Sequence, residues 1–177
     1  MSKTLRLCLD LNIWCCDILA DQKGRERTGC QTLVESVRDG KFYDLPIRLI
    51  VSWGMLNHLN TILQDPPFLM NVEETKCYID GILGYATIGP TLTLGGTGLV
   101  PIQDEEDRHV LETAIAGRAN ILATFNYSDF LTTKSLEIIP NQYSIHEAPD
   151  HRLKIVHPFL LLDWLRQDSH LLNAELF

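Results

Sequence analysis

The chain has 177 residues, of which 45% are hydrophobic and 21% are charged, and its formal net charge is −8. These values are typical of a single globular domain, residues 1–177, that is large enough to form a hydrophobic core. The acidic charge argues against a protein that coats nucleic acid, but not against a nuclease whose acidic site holds a divalent cation. No signal peptide and no membrane-length apolar run is visible, so we expect a cytoplasmic protein with five reduced cysteines.

The first third of the sequence predicts strands that alternate with helices. Residues 5–9 form a short apolar run that ends at Asp10, and an apolar helix follows to about Ala20, with Asn12 as its expected cap. A carboxylate therefore follows the first predicted strand. Further along we predict a helix over residues 28–39, a strand over residues 48–51, and a helix that Ser52 caps and the Pro66-Pro67 pair ends.

The next region predicts one helix and then a loop. Asn71 starts the helix, and its expected inward-facing stripe consists of Val72, Thr75, Tyr78, Ile79 and Ile82. Residues 84–98 are rich in Gly and Thr and predict a loop. The glycine run at residues 95–98 resembles a phosphate cradle only superficially, because neither Lys-Ser/Thr nor a strand-to-helix context accompanies it.

The stretch from residue 104 to residue 130 predicts a helix, a strand and a polar loop in close succession. Residues 104–107 fill the first turn of the helix with acidic side chains, where the helix dipole favours negative charge. Residues 121–124 predict a short buried strand of a parallel sheet, after which the chain turns polar at Asn126 and Asp129. Because the reactive crevice of an open α/β sheet lies beyond the carboxyl ends of its strands, both residues are site candidates.

The C-terminal part predicts two further strands, residues 136–139 and 153–156, with an irregular segment or a short edge hairpin over residues 143–149. Pro158 starts a last apolar helix. Strands and helices thus alternate along the whole chain, which predicts an α/β fold. We expect a three-layer sandwich in which helices flank a mainly parallel central sheet. His109 is expected to face outward from its helix.

Three carboxylates occupy comparable positions in these predicted elements. Asp10 ends the first strand, Asp107 opens the central helix, and Asp129 follows the strand over residues 121–124, with Asn126 beside it. Carboxylates that converge at one edge of a sheet repel one another unless a cation lies between them. Mg²⁺ and Mn²⁺ prefer oxygen ligands and bind phosphate oxygens, so the pattern indicates a metal-dependent hydrolase of phosphate esters.

The same residues resemble the motifs of PIN domains. The run LDLN (residues 9–12) is similar to the first motif of that family, and DRHVLETAIAGRANILATFNYSDF (residues 107–130) is similar to its third block. The ending of the block, Thr-x-Asn-x-x-Asp-Phe, is matched in register by Thr124, Asn126, Asp129 and Phe130. The run VHPFLLLDWL (residues 156–165) resembles the closing strand-to-helix segment, so the resemblance extends over residues 5–165.

The resemblance implies an endoribonuclease that cleaves single-stranded RNA with Mg²⁺ or Mn²⁺, often as a homodimer. Asp10, Asp107 and Asp129 match the metal-binding carboxylates, and Asn126 matches the polar residue that orients water or substrate. These four are the predicted catalytic residues. Bacterial members of the family are commonly VapC-type ribonuclease toxins, so the resemblance also implies an antitoxin protein as a partner.

One departure concerns the second motif of the family, which ends in Glu-Leu. Here the position before Leu59 is His58, and no acidic residue occurs between Asp44 and Asp65. A neutral imidazole can bind a metal, but His58 is equally compatible with a site that has lost activity. We predict that its side chain faces the three aspartates. The alternatives to a ribonuclease are a PIN-fold binding or scaffold protein with weakened catalysis and a metal hydrolase of small phosphoesters.

Overall fold

The computed structural model describes residues 4–86, 92–93 and 105–167. Within these ranges the strands are β1 (Leu5–Leu9), β2 (Lys41–Phe42), β3 (Leu45–Ser52), β4 (Leu92–Thr93), β5 (Ile121–Ala123), β6 (Ser135–Ile139), β7 (Tyr143–Glu147) and β8 (Arg152–Val156). The helices are α1 (Leu11–Gln22), α2 (Gly29–Arg38), α3 (Trp53–Gln64), α4 (Val72–Tyr85), α5 (Glu105–Ala116) and α6 (Pro158–Arg166). Strands and helices alternate, as the sequence predicts.

The strands form one sheet in the order β2-β3-β1-β5-β8-β7-β6, and β4 lies beside the end of β3. Strands β3, β1, β5 and β8 are parallel, and so is the short pairing of β4 with β3. Strands β2, β7 and β6 pair antiparallel at the two sides of this parallel centre. Helices flank the sheet, so the prediction of a three-layer α/β sandwich with a mainly parallel sheet is confirmed.

The core lies on the parallel strands and on the helix faces that cover them. All three residues of β5 are buried, and the four apolar residues of β1 are fully inaccessible to solvent. Near-continuous apolar strands are expected where helices cover both faces of a parallel sheet. Helix α5 packs on these strands through Val110, Leu111 and Ala114, which belong to its predicted apolar stripe. The five cysteines are free thiols.

Side-chain caps start most helices, as the sequence predicts for Ser52 and Asn71. The Ser52 hydroxyl accepts a hydrogen bond from the Met55 backbone N–H, and Asn71 forms a capping box with Glu74. The expected cap of α1 is wrong, because Asp10 and not Asn12 is the N-cap residue. Asp10 has an extended backbone, and its carboxylate accepts from the Leu11 backbone N–H, so the helix begins before Asn12.

Three other local predictions differ from the structure. Val72, the first residue of α4, is exposed, whereas Thr75 and Ile82 of the same predicted stripe are buried. Helix α4 extends to Tyr85, which lies within the predicted loop over residues 84–98. Strand β4 also lies within that loop, and the sequence does not predict it because two residues are too few to show a periodic pattern. Strand β7 is an internal strand between β8 and β6. The glycine run at residues 95–98 and Asp104 lie outside the described residues.

Helix α1 also buries a carboxylate that the sequence analysis did not single out. Asp17 lines a cavity of about 550 Å³ between α1, α2 and α4, and its Oδ2 accepts a hydrogen bond from the Tyr78 hydroxyl at 3.2 Å. Burial raises the pKa of Asp17 to about 6, although the bond from Tyr78 opposes the rise. Ionisation of Asp17 at neutral pH therefore destabilises the fold.

We expect Asp17→Asn to gain stability relative to the wild type as the pH rises. A carboxyl whose pKa is higher in the folded state favours folding below its unfolded pKa, and this contribution is lost as the pH rises to about 6. With solvent screening in the open cavity, the difference in unfolding free energy should move by about 1–2 kcal/mol in favour of the variant between about pH 4 and about pH 8. Urea unfolding at both pH values measures this, with the exposed Asp80→Asn as control. The same pH trend in both variants would contradict the prediction.

Candidate metal centre

The carboxyl ends of the parallel strands bring distant parts of the chain to one edge of the sheet. Asp10 follows β1, Ser52 ends β3, and Thr124 follows β5. Asp107 lies in the first turn of α5, and a helix that leads into a parallel strand begins at this same edge. A cavity of about 260 Å³ results, whose lining residues are Asp10, Leu11, Asn12, Cys15, His58, Ile62, Phe68, Asp107, Val110 and Asn126.

Asp10 is almost fully buried beside this cavity and is held by three hydrogen bonds. Its Oδ1 accepts from the Leu11 backbone N–H at 2.6 Å, and its Oδ2 accepts from the Thr124 hydroxyl at 2.6 Å and from Asn12 Nδ2 at 2.7 Å. The pKa of Asp10 is raised to about 6, chiefly by burial and to a smaller extent by the charge of Asp129. The three hydrogen bonds act in the opposite direction and limit this rise. A cation in the cavity would favour the ionised form of Asp10.

Thr124 connects Asp10 to the loop after β5, a role that the sequence analysis missed. Its fully buried hydroxyl donates to Asp10 and accepts from the Asn126 backbone N–H at 3.0 Å. The position of the first carboxylate is thereby coupled to the loop that carries Asn126 and Asp129. The sequence does contain a signal for this role, namely a hydroxyl residue directly after an apolar strand. A hydroxyl that is buried at such a position requires a hydrogen-bond partner.

The four predicted site residues differ in their relation to the cavity. Asp10, Asp107 and Asn126 line it. Asp129 is not a lining residue: it is exposed in the 3-10 turn Tyr127–Phe130, where the Ser128 hydroxyl lies 3.3 Å from its Oδ1. Its charge nevertheless acts on the pKa of Asp10, so the two carboxylates lie within electrostatic range of each other. His58 lines the cavity from α3.

His109 does not face outward, contrary to the sequence-based expectation. Its Nε2 lies 3.4 Å from the Ser52 hydroxyl, which is also 2.8 Å from the Thr113 hydroxyl. The imidazole lies against Gly54, where a Cβ atom would fall 1.5 Å from Nε2. The absence of a side chain at Gly54 therefore lets α5 approach the start of α3, and this contact helps to position the helix that carries Asp107.

The residues around the cavity fit a divalent cation that is bound partly by protein and partly by water. Within the described ranges, no three His, Cys, Asp or Glu side chains form a group that could hold a metal ion by themselves. Two carboxylates line the cavity, however, and Mg²⁺ commonly binds through one or two carboxylates together with waters and phosphate oxygens. The buried Asn12 Oδ1, which has no hydrogen-bond partner, is a further oxygen at this site.

The described residues thus form a mainly parallel α/β sheet with an acidic cavity at the carboxyl edge of its strands. The sequence profile described as PIN domain matches residues 6–128, more than half of the chain, and the chain belongs to this family. The matched range includes Asp10, His58, Asp107 and Asn126, and it ends directly before Asp129. Comparisons with curated proteins and with solved structures give no match. Among the helices of the described residues, none combines the length and the hydrophobicity that a membrane span requires.

Proposed function

We propose that this protein is an endoribonuclease that cleaves single-stranded RNA with Mg²⁺ or Mn²⁺ held in the cavity beside Asp10. The observation that carries the proposal is the position of Asp10, Asp107 and Asn126 around one cavity at the carboxyl edge of a PIN-domain sheet. PIN domains are generally nucleases that use divalent metals, and the donors present here are the oxygen ligands that such metals prefer.

Each residue has a distinct task in this proposal. Asp10 and Asp107 hold the cation, and Asp129 adds negative charge to the same edge from the loop after β5. Asn126 orients a water molecule or the scissile phosphate, because its amide can donate and accept hydrogen bonds at the mouth of the cavity. When bound, the cation supplies Lewis acidity and a water of lowered pKa.

The charge of the cavity supports a metal-dependent reaction. Its lining residues include two aspartates and neither Lys nor Arg. A phosphate group that approached Asp10 and Asp107 alone would meet like charge at short range, which is unfavourable where burial reduces solvent screening. The lining also includes the apolar residues Ile62, Phe68 and Val110. RNA binding at this edge therefore depends on the cation.

The test is cleavage of a labelled single-stranded RNA by the wild-type chain with Mn²⁺ and with EDTA. We expect cleavage with Mn²⁺ only, and Asp107→Asn should lower its rate by at least about 100-fold, because metal-site changes typically cost that much or more. Asp163→Asn, an exposed residue of α6, is the matched control and should leave the rate unchanged. Cleavage that persists in EDTA, or equal rates in both variants, would contradict the proposal. Hydrolysis of a small phosphodiester without RNA cleavage would indicate a small-phosphoester hydrolase.

A PIN-fold binding or scaffold protein with weakened catalysis is the second candidate, and His58 is the observation that favours it. His58 lines the cavity at the position where the resemblance places a glutamate, so one carboxylate of the family pattern is replaced. We propose this substitution as the reason for a weaker metal site. RNA binding without Mn²⁺-dependent cleavage, in the assay above, would support the scaffold function.

The proposal includes a role as the toxin of a toxin–antitoxin pair and a homodimeric state, both of which rest on the resemblance to VapC-type toxins. Expression of the chain alone should then inhibit bacterial growth, and co-expression with a small DNA-binding protein encoded beside it should restore growth. Light scattering of the purified chain measures the oligomeric state. Normal growth on expression of a cleavage-competent chain would contradict the toxin role.

A further inference from the structure

Asn12 has one amide atom with a hydrogen-bond partner and one without. Its Nδ2 donates to Asp10 Oδ2 at 2.7 Å and lies 3.4 Å from the Thr124 hydroxyl. Its Oδ1 is buried and has no hydrogen-bond partner among the described residues. An unpaired buried acceptor costs about 1–3 kcal/mol, so such an atom in a native protein usually contacts a water, an ion or a ligand.

The contact with Asp10 determines which amide atom remains unpaired. In the opposite amide orientation, Asn12 Oδ1 would face Asp10 Oδ2, and two acceptor oxygens would lie within hydrogen-bond distance. The observed orientation avoids that repulsion and leaves Oδ1 as the available atom. Oδ1 therefore remains an acceptor next to a buried carboxylate.

The surroundings of this atom select a cation as its partner. Asn12 lines the cavity together with Asp10 and Asp107, and the lining residues include neither Lys nor Arg. Within the described ranges, no third His, Cys, Asp or Glu completes a metal-binding group around the two carboxylates. Amide oxygens are hard ligands that suit Mg²⁺, Mn²⁺ and Ca²⁺, and they add no negative charge to a cavity that two aspartates already line.

We infer that Asn12 Oδ1 is a neutral third protein ligand of the divalent cation, beside the carboxylates of Asp10 and Asp107. Asn12 thereby has two tasks: its Nδ2 holds Asp10, and its Oδ1 contacts the metal. The inference deepens the proposed function and rests on it, because both concern the same cation. It also distinguishes this site from one built from carboxylates alone, since one of its protein ligands carries no charge.

The test is titration calorimetry of the full chain with Mn²⁺ alone, without RNA. Asn12→Ala removes both amide atoms and should weaken Mn²⁺ binding by about tenfold or more. Asn12→Asp keeps an oxygen at this position but removes the donor to Asp10, and it should bind Mn²⁺ at least as tightly as the wild type at about pH 8. Asn57→Ala, an exposed asparagine of α3 outside the cavity, is the matched control and should leave the affinity unchanged.

The pattern across these variants separates the outcomes. Equal weakening in Asn12→Ala and Asn12→Asp, or unchanged binding in Asn12→Ala, would overturn the inference. If Asp10→Asn still loses Mn²⁺ binding in that case, the proposed function stands without Asn12 as a ligand. A wild-type chain that binds no Mn²⁺ would overturn both. For a variant that is too weakly folded for calorimetry, the Mn²⁺-induced shift of its thermal unfolding midpoint gives the same ranking.

Discussion

Asp10→Asn should reduce RNA cleavage by at least about 1,000-fold, because it removes the buried carboxylate that we propose as a ligand of the cation. Three hydrogen bonds hold the Asp10 carboxylate at the edge of the cavity. An asparagine in this place has no charge with which to bind the cation. We expect the loss in the rate of the chemical step and in Mn²⁺ affinity together, since both depend on the same oxygens.

The stability of this variant should not fall in parallel. Burial raises the pKa of Asp10 to about 6, so the ionised carboxylate destabilises the metal-free fold at neutral pH. Removal of the charge offsets the poorer hydrogen bonding of an asparagine, and the unfolding free energy in EDTA should stay within about 1 kcal/mol of the wild-type value. A buried charge that serves function commonly shows this opposition of activity and stability.

Asp17→Asn is the matched control for Asp10→Asn. Asp17 lies in α1, the helix that Asp10 caps; it is also buried and its pKa is also raised to about 6, but it lines the other cavity. Cleavage assays and urea unfolding of both variants therefore separate the loss of a buried charge from the loss of a metal ligand. Equal cleavage rates in the two variants would contradict the role of Asp10.

The order of the main elements could be predicted from the sequence because their signals are local. The apolar run of residues 5–9, the Ser52 cap and Pro158 each coincide with the start or extent of an element in the structure. The convergence of Asp10 and Asp107 on one cavity follows from topology, since the carboxyl ends of parallel strands share an edge.

The details that the sequence could not supply depend on contacts between distant segments. The hydroxyl of Thr124 bonds Asp10 across 114 positions of the chain, and no local pattern encodes that pairing. The outward phase expected for His109 failed because Gly54 of another helix leaves room for its imidazole. The cap of α1 was placed at Asn12 because both residues are good caps, and only the backbone conformation identifies Asp10.

His58→Glu should strengthen the metal site and raise RNA cleavage, on the proposal that His58 replaces the glutamate of the family pattern. His58 lies in the wall of the cavity that Asp10 and Asp107 also line, so a glutamate at this position adds a carboxylate to the same space. Hard divalent cations bind carboxylate oxygens in preference to imidazole, and we expect Mg²⁺ affinity to rise by about tenfold. Without metal, the added charge should lower the stability, because three carboxylates then repel one another.

Mg²⁺ titration, thermal unfolding with and without Mg²⁺, and the RNA assay together measure this effect. Asn57→Glu is the matched control, because it adds the same charge to the preceding, exposed position of α3, outside the lining of the cavity. The stabilisation by Mg²⁺ should be larger in His58→Glu than in the wild type, and unchanged in Asn57→Glu. If the two variants behave alike, the side chain at position 58 does not reach the cation. The weakened catalysis of the scaffold hypothesis would then have no structural cause at this position, and the full ribonuclease function would be favoured.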